Sequence, residues 1–298
     1  MNPALAVSLA GRDLLRSADL VPAETEAVLD LAAELKNDRY EPRLPGRTLG
    51  LLFKKPSTRT RVSFAVAIAQ LGGTAVPLQH EEMQLSRGES LEDTARVLSS
   101  YLDAIAIRTF WQSELEEWAG AASIPIVNAL TDEEHPCQAL ADVLTIRERL
   151  GSTDGVRIAW LGDGTNVCNS LAVVASQLGM QVVAACPPGY EPSNNLSLGV
   201  VRDPREAVAG AHVLVTDTWT SMGREQDSAK RLRDLEGYRL TESLVELADP
   251  DAIVLHCLPA HAGEEIEASV LYGPRSAVWQ EAENRLHVQK ALLALLLG

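Results

Sequence analysis

Hydrophobic and polar positions in this chain follow two alternating patterns. Short apolar runs typical of buried strands lie at 48–53, 75–78, 103–108, 125–128, 156–161, 181–186, 212–216 and 252–257. Apolar positions with helical spacing lie between and around them, at 23–36, 62–71, 91–101, 114–119, 136–150, 166–178, 204–209 and from about 278 onward. Strands that alternate with helices predict parallel sheets covered by helices on both faces.

A turn-rich segment at 151–155 interrupts the pattern, and the strand–helix cycle restarts after it. A chain of 298 residues also exceeds the usual size of a single core. We therefore predict two doubly wound α/β domains with a cleft between them. Residues 1–134 form the first domain and 135–279 the second, and the final helix, 280–298, packs back on the first. The polar segments 81–90 and 219–230 are expected to be mobile ligand loops.

Charge and cysteine content narrow the class of protein. A net charge of −15 argues against nucleic acid or an anionic membrane as a partner. The four cysteines are widely spaced, without the spacing of a zinc site or a disulfide framework, which fits a reducing compartment. The first residues lack the basic start of a signal peptide, and the Leu-rich end is too short for a membrane span. We expect a cytoplasmic protein.

A basic, hydroxyl-rich segment follows the first strand and opens a helix: Ser57-Thr58-Arg59-Thr60-Arg61. Its hydroxyls and first amides are expected at the positive end of the helix, which favours an anion. The guanidinium groups add forked donors suited to phosphate oxygens. Lys54 and Lys55 lie just upstream and favour this interpretation in so acidic a chain. The alternative is an ordinary Ser/Thr cap with solvated arginines.

Further polar groups follow other strands of the first domain. Arg108 ends an otherwise apolar strand, and His135-Pro136-Cys137-Gln138 begins the long helix, with proline at its first position. His135 could donate a hydrogen bond to a ligand, with Gln138 one turn further on the same face. On position alone, a surface arginine is an equally acceptable interpretation of Arg108. For the tetrapeptide alone, a capping histidine without a ligand is the default interpretation.

A glycine turn, Gly162-Asp163-Gly164-Thr165-Asn166, follows the first strand of the second domain. It resembles the start of a dinucleotide site, but no third glycine follows and the next strand ends without an acidic residue for a ribose. NAD binding is therefore disfavoured. Asn166, at the helix start, could hold a carboxylate.

Two later strands each lead into a loop whose side chains could take part in catalysis or ligand binding. The first carries Asp217-Thr218-Trp219-Thr220-Ser221-Met222-Gly223, and the second carries His256-Cys257-Leu258-Pro259-Ala260-His261. A cysteine flanked by histidines suggests a thiolate nucleophile or a metal site. The alternative is a buried thiol beside hydrogen-bonded structural histidines.

Taken together, these motifs resemble the carbamoyltransferase family, and most closely its ornithine branch. The resemblance covers nearly the whole chain, in order. Three elements are similar to the family's carbamoyl phosphate site: Ser57 to Arg61, Arg108, and His135 to Gln138. Gln84 matches a glutamine that reaches into a neighbouring subunit. Two departures are Ala262, where the family commonly has a basic residue, and the short end of the chain, which differs from the putrescine branch.

The resemblance implies transfer of a carbamoyl group from carbamoyl phosphate to the side-chain amine of L-ornithine, giving L-citrulline and phosphate without metal or cofactor. The implied carbamoyl phosphate ligands are Ser57, Thr58, Arg59, Thr60, Gln84, Arg108, His135, Gln138, Cys257, Leu258 and Arg285. The implied ornithine ligands are Asn166, Asp217, Ser221 and Met222. The implied catalytic groups are Asp217, Cys257, Arg108 and His135.

The resemblance also implies a homotrimer with shared active sites, and a role in arginine metabolism. Alternative acceptors are aspartate, putrescine or a modified ornithine. A nicotinamide-dependent oxidoreductase is the alternative from another class.

Overall fold

The computed structural model describes residues 9–38, 40–220 and 227–298. Its contacts divide the chain into two units. Unit 1 comprises Met1–Leu140 with Asn284–Gly298, and unit 2 comprises Ala141–Glu283. For comparison, the sequence pattern places the first boundary at residues 134 and 135.

Unit 1 contains a four-stranded parallel sheet in the order β2-β1-β3-β4. Its strands are β1 Thr48–Phe53, β2 Thr74–Leu78, β3 Ala104–Arg108 and β4 Ile126–Leu130. Its helices are α1 Pro22–Asn37, α2 Thr58–Gln70, α3 Leu91–Leu98, α4 Gln112–Ala121 and the start of α5 Pro136–Leu150. Short 3₁₀ turns lie at Ser17–Asp19, His80–Glu82 and Gln84–Arg87.

The register of this sheet aligns the ends of β1, β3 and β4. Phe53 pairs with Arg108, and Arg108 pairs with Leu130 across a bulge. The central strand β3 is fully buried from Ala104 to Ile107, as expected for a parallel strand covered on both faces. The loops that follow β1, β3 and β4 therefore emerge at the same edge of the sheet.

Unit 2 contains a five-stranded parallel sheet in the order β7-β6-β5-β8-β9. Its strands are β5 Arg157–Leu161, β6 Gln181–Ala185, β7 Gly199–Val201, β8 Val213–Thr216 and β9 Ile253–His256. Its helices are the rest of α5, α6 Asn166–Gln177, α7 Pro204–Val208, α8 Ser228–Leu235, α9 Glu242–Val245, α10 Ala268–Leu271 and the start of α11 Val278–Leu297, with a 3₁₀ turn at Glu236–Tyr238.

The strand ends of unit 2 are also aligned. Thr216 pairs with Leu161 on one side and with His256 on the other. The loops that begin at Gly162, Asp217 and Cys257 consequently start side by side, at the edge of the sheet where ligands bind in open α/β folds.

The predicted fold class is confirmed, as is the packing of the last helix on the first domain. Lys36 Nζ in α1 donates to Asn284 Oδ1 in α11 at 2.8 Å, and Lys290 Nζ donates to the Asp38 carbonyl at 2.7 Å. Among the described residues, no helix has both the length and the apolarity needed to cross a membrane.

Several short elements were not predicted. The edge strand β7 has three residues, and the helices α9 and α10 have four each, so their patterns are too short to detect. The polar segment 81–90, expected to be a mobile loop, contains the 3₁₀ turn at Gln84–Arg87. Part of the second expected loop, from Ser228 onward, is the helix α8.

Candidate active site

The start of α2 has the local geometry of an anion-binding helix terminus. Ser57 is the N-cap, and its Oγ accepts a hydrogen bond from Thr60 N at 3.3 Å. Thr58 and Arg59 are exposed in the first turn, where amide groups lack helical partners. Arg61 is also exposed and lies over the Phe53 ring, 5.6 Å from its centroid. The first turn therefore combines amide groups that lack helical partners with the exposed residues Thr58 and Arg59.

Arg285 links this terminus to a second predicted segment. Its Nη2 donates to Thr60 Oγ1 at 2.9 Å, and its Nη1 donates to Gln138 Oε1 at 2.5 Å. All three side chains are buried. Residues from α2, α5 and α11 therefore meet, although more than 140 positions separate Gln138 from Arg285 along the chain.

His135 is buried beside two cations, and this environment determines its charge. Burial, followed by the charges of Arg285 and Arg108, lowers the pKa of His135 well below its usual 6.5. The ring is therefore neutral near pH 7 and carries a single N–H. Burial also raises the pKa of the neighbouring Cys137 to about 12, and its Sγ contacts the Asn128 carbonyl at 3.6 Å, so this thiol is a packing group.

The two lysines upstream of the cap are already paired with carboxylates. Lys54 forms an ion pair with Glu114, and Lys55 forms one with Asp132. Their charges are therefore largely neutralised by protein groups. Gln84, the remaining predicted residue of unit 1, lies on its 3₁₀ turn with an exposed side chain.

In unit 2, Asp217 and Cys257 are in direct contact at the ends of β8 and β9. Cys257 Sγ donates to Asp217 Oδ1 at 2.8 Å, and Thr218 N donates to the same oxygen at 2.7 Å. Burial and the neighbouring Asp217 raise the pKa of the Cys257 thiol well above its usual 9.0. The thiol is therefore protonated at neutral pH, which disfavours the thiolate-nucleophile interpretation.

His256 has a defined tautomer. Leu258 N donates to its Nδ1 at 3.0 Å, so Nε2 carries the proton and donates to Glu265 Oε1 at 3.1 Å. His256 N also donates to Glu281 Oε2 at 2.8 Å. Both ring nitrogens are thus engaged within the protein, which disfavours the metal interpretation of this motif. The ring instead supports Leu258, whose φ of 58° is left-handed.

The space beside the glycine turn after β5 is occupied by other residues of the protein. Gly162 has φ 106°, and a Cβ there would lie 2.9 Å from Trp219 Nε1. A Cβ at Gly164 would overlap Pro192. Close approach of other segments therefore accounts for both glycines, without a pyrophosphate. Asn166 begins α6 half-buried, with its Oδ1 accepting from Val167 N at 3.0 Å.

Two predicted residues, Ser221 and Met222, lie outside the described residues. Just beyond them, Arg231 in α8 is buried, pairs with Asp163 and donates through Nε to the Trp219 carbonyl at 2.6 Å. This arginine links the glycine turn to the chain that leaves Asp217. The sequence interpretation missed it because the surrounding segment is polar and resembles a loop.

Family models match both parts of the chain. Residues 12–148 match the carbamoyl-P binding domain of aspartate/ornithine carbamoyltransferase, and residues 154–296 match the Asp/Orn binding domain.

Individual relatives match over nearly the full length. Ornithine carbamoyltransferases of Synechococcus sp. and Carboxydothermus hydrogenoformans are 52% and 51% identical to this chain, and each alignment covers 98% of it and 99% of the relative. The ornithine carbamoyltransferase structure from Pyrococcus furiosus has a TM-score of 0.93 at 45% identity, covering 97% of this chain and 98% of that one. The structure from Thermus thermophilus has a TM-score of 0.90 at 45% identity, covering 96% and 99%. The chain therefore belongs to the aspartate/ornithine carbamoyltransferase family.

Proposed function

We propose that this chain is an ornithine carbamoyltransferase. It transfers the carbamoyl group of carbamoyl phosphate to the side-chain amine of L-ornithine, giving L-citrulline and phosphate. The observation that carries the proposal is the contact of Arg285 with Thr60 and Gln138 at the N-terminus of α2. This contact joins a helix terminus suited to binding phosphate to two side chains, Arg285 and Gln138, that are suited to binding a carbamoyl group.

On the donor side, Arg59 and the first amides of α2, with Ser57 and Thr58, bind the phosphate and its growing charge. Arg108, His135 and Arg285 polarise the carbamoyl oxygen. His135 donates its single N–H as a neutral ring, because its lowered pKa keeps it unprotonated. Gln138 and the Leu258 carbonyl orient the carbamoyl NH₂. No redox step or electrophilic cofactor is needed, since the acyl phosphate is itself activated.

On the acceptor side, Asp217 binds the α-ammonium of ornithine and Asn166 binds its carboxylate. Ser221 and Met222 belong to the same proposal from the sequence resemblance alone. A lysine-like amine has a pKa of about 10.4, so supplying its neutral form at pH 7 costs about 4 to 5 kcal/mol without help from the protein. Cys257 is a protonated donor to Asp217, so the carboxylate is the better acceptor for the amine proton.

In this reaction the neutral amine attacks the carbonyl carbon and forms a C–N bond. The C–O bond to phosphate then breaks, phosphate leaves with the bonding electron pair, and the proton lost by the attacking nitrogen passes to the departing phosphate, which leaves as hydrogen phosphate. Charge stabilisation and alignment of the two substrates are what the side chains must supply.

The proposal also includes a homotrimer in which Gln84 completes a neighbouring site, and a cytoplasmic location. The four cysteines, all of them free thiols, support a reducing compartment. Sedimentation of the purified chain tests the trimer.

The decisive experiment incubates the purified full chain with carbamoyl phosphate and L-ornithine, and measures phosphate release and citrulline. Aspartate and putrescine serve as acceptor controls, and NAD binding is titrated separately. We expect turnover with ornithine and little with the other amines. Turnover with a different amine alone would reassign the acceptor, and absence of turnover with every amine would refute the proposal.

A further inference from the structure

Three loops at one edge of the unit 1 sheet are joined by hydrogen bonds. They follow β1, β3 and β4 and lead to Ser57, α4 and His135 respectively. Lys54 N donates to the Arg108 carbonyl at 2.9 Å, and Asp132 N donates to the Phe110 carbonyl at 2.9 Å. Thr131 Oγ1 donates to Gln112 Oε1 at 2.8 Å. Backbone and side-chain hydrogen bonds thus connect the three loops to one another.

A single carboxylate, Glu114, reinforces the first of these connections. Its Oε1 forms the ion pair with Lys54, and its Oε2 accepts from Thr109 Oγ1 at 2.5 Å. The side chains of Lys54 and Glu114 are only 21% and 17% exposed. Glu114 therefore ties the residue after β1 to the residue after β3, which directly follows Arg108.

A second ion pair connects the same loop to the loop that follows β4. Lys55 is 8% exposed, pairs with Asp132, and places its Nζ 4.2 Å from the centre of the Phe110 ring. Lys55 lies two positions before the cap Ser57. The segment that leads into α2 is consequently linked to the loops after β3 and after β4.

We infer that Glu114 is a positioning residue for the phosphate site, acting with Lys54 to hold the start of α2 in place; this rests on the proposed function. The lysine does not act as an additional phosphate-attracting charge, because its ammonium already faces a carboxylate. The pair fixes the backbone that carries the phosphate donors, and small displacements of such donors are costly.

The variant Glu114→Gln distinguishes two explanations: attraction of phosphate by the charge of Lys54, and positioning of the loop by Glu114. The variant keeps an oxygen that can accept from Thr109, but it releases the charge of Lys54. If Lys54 attracts phosphate by charge, the variant binds inorganic phosphate more tightly. If Glu114 positions the loop, the variant binds phosphate about 5- to 10-fold more weakly.

The double variant Lys54→Met/Glu114→Gln provides a second test. It restores electroneutrality without restoring the link, so we expect it to remain about 5- to 10-fold weaker than the native chain. Glu114→Asp keeps the charge but shortens the side chain, and it should also weaken binding. Glu92→Gln, which breaks the exposed Arg96–Glu92 pair of α3, is the matched control and should change nothing.

Binding of inorganic phosphate is measured by calorimetry on the full chain, with KM for both substrates alongside. We expect the KM for carbamoyl phosphate to rise while the KM for ornithine and the melting temperature stay close to native values. Tighter phosphate binding by Glu114→Gln, or native binding by the double variant, would overturn the inference. If the native chain shows no carbamoyl transfer, the proposed function fails separately, and the phosphate affinities still decide the role of Glu114.

Discussion

The two units use similar parallel sheets but place opposite charges at their strand ends. In unit 1, burial and the charges of Arg285, in α11, and Arg108, at the end of β3, lower the pKa of His135. In unit 2, Asp217 lies against Cys257 and helps raise the pKa of that thiol. The proposed anion site and the proposed ammonium site therefore lie on the same type of sheet, and the side chains in the loops are what distinguish them.

The largest effect is expected from removing the Arg59 guanidinium of the proposed phosphate site in unit 1. We expect Arg59→Gly to weaken carbamoyl phosphate binding by about 100-fold or more, since the phosphate loses its forked donor. Calorimetry with carbamoyl phosphate measures the loss. Arg61→Gly, two positions along the same helix, is the matched control and should have a much smaller effect. Near-native turnover by Arg59→Gly would remove the basis for a phosphate site at this helix.

The acceptor side is tested by Asp217→Ala. We expect kcat/KM for ornithine to fall by about 100-fold, because a charge-assisted contact to the α-ammonium is lost, while carbamoyl phosphate affinity changes little. Steady-state kinetics with each substrate varied in turn gives the two values. Asp251→Ala, at an exposed site of the same unit, is the control. Equal damage to both substrates would mean that Asp217 has a structural role.

A smaller effect is expected on the reactivity of Cys257. Asp217→Asn removes the second contribution to its raised pKa but leaves burial, the largest, in place. Alkylation by iodoacetamide at pH 8 to 9 should therefore accelerate by about 3- to 10-fold and remain slower than for a free thiol. Mass spectrometry of the Cys257 peptide gives the rate, with the buried Cys168 as an internal reference. An unchanged rate would show that Asp217 does not influence the thiol.

The smallest effect concerns stability and pH in unit 1. Because the folded-state pKa of His135 lies below 6.5, the unfolded chain binds more protons in this window. Stability therefore falls as the pH drops from about 6.5, by at most about 1.4 kcal/mol per pH unit for this one group. Thermal unfolding of His135→Gln should show a shallower decline between pH 7 and pH 5 than the native chain. His261→Gln, at an exposed histidine, is the control, and identical slopes would contradict the assigned environment.

Local signals made much of the fold predictable. The strand at 48–53 and the helix at 136–150 agree with the structure at both ends, because an apolar run and a proline at the first helical position define them locally. Ser90 is a local signal of the same kind, because it caps α3 and its Oγ accepts a hydrogen bond from Asp93 N at 3.0 Å. Short elements such as β7 lack enough residues to show a period.

The candidate site was less accessible to sequence reasoning, because its contacts join distant segments. Nothing local indicates that Arg285 donates to Thr60, or that Lys54 is neutralised by Glu114. The charge state of Cys257 likewise depends on Asp217, 40 positions away. Motifs indicated which residues to examine, whereas partners and protonation required the folded chain.

The filled glycine turn has a consequence for engineering. Gly162 and Gly164 resemble a nucleotide-binding motif, yet the space beside them is taken by Trp219 and Pro192. Adding the absent third glycine would therefore not convert this scaffold to bind a nicotinamide. A redesign would first have to remove the indole and reroute the proline segment, at the cost of the packing around Cys186 and Tyr190.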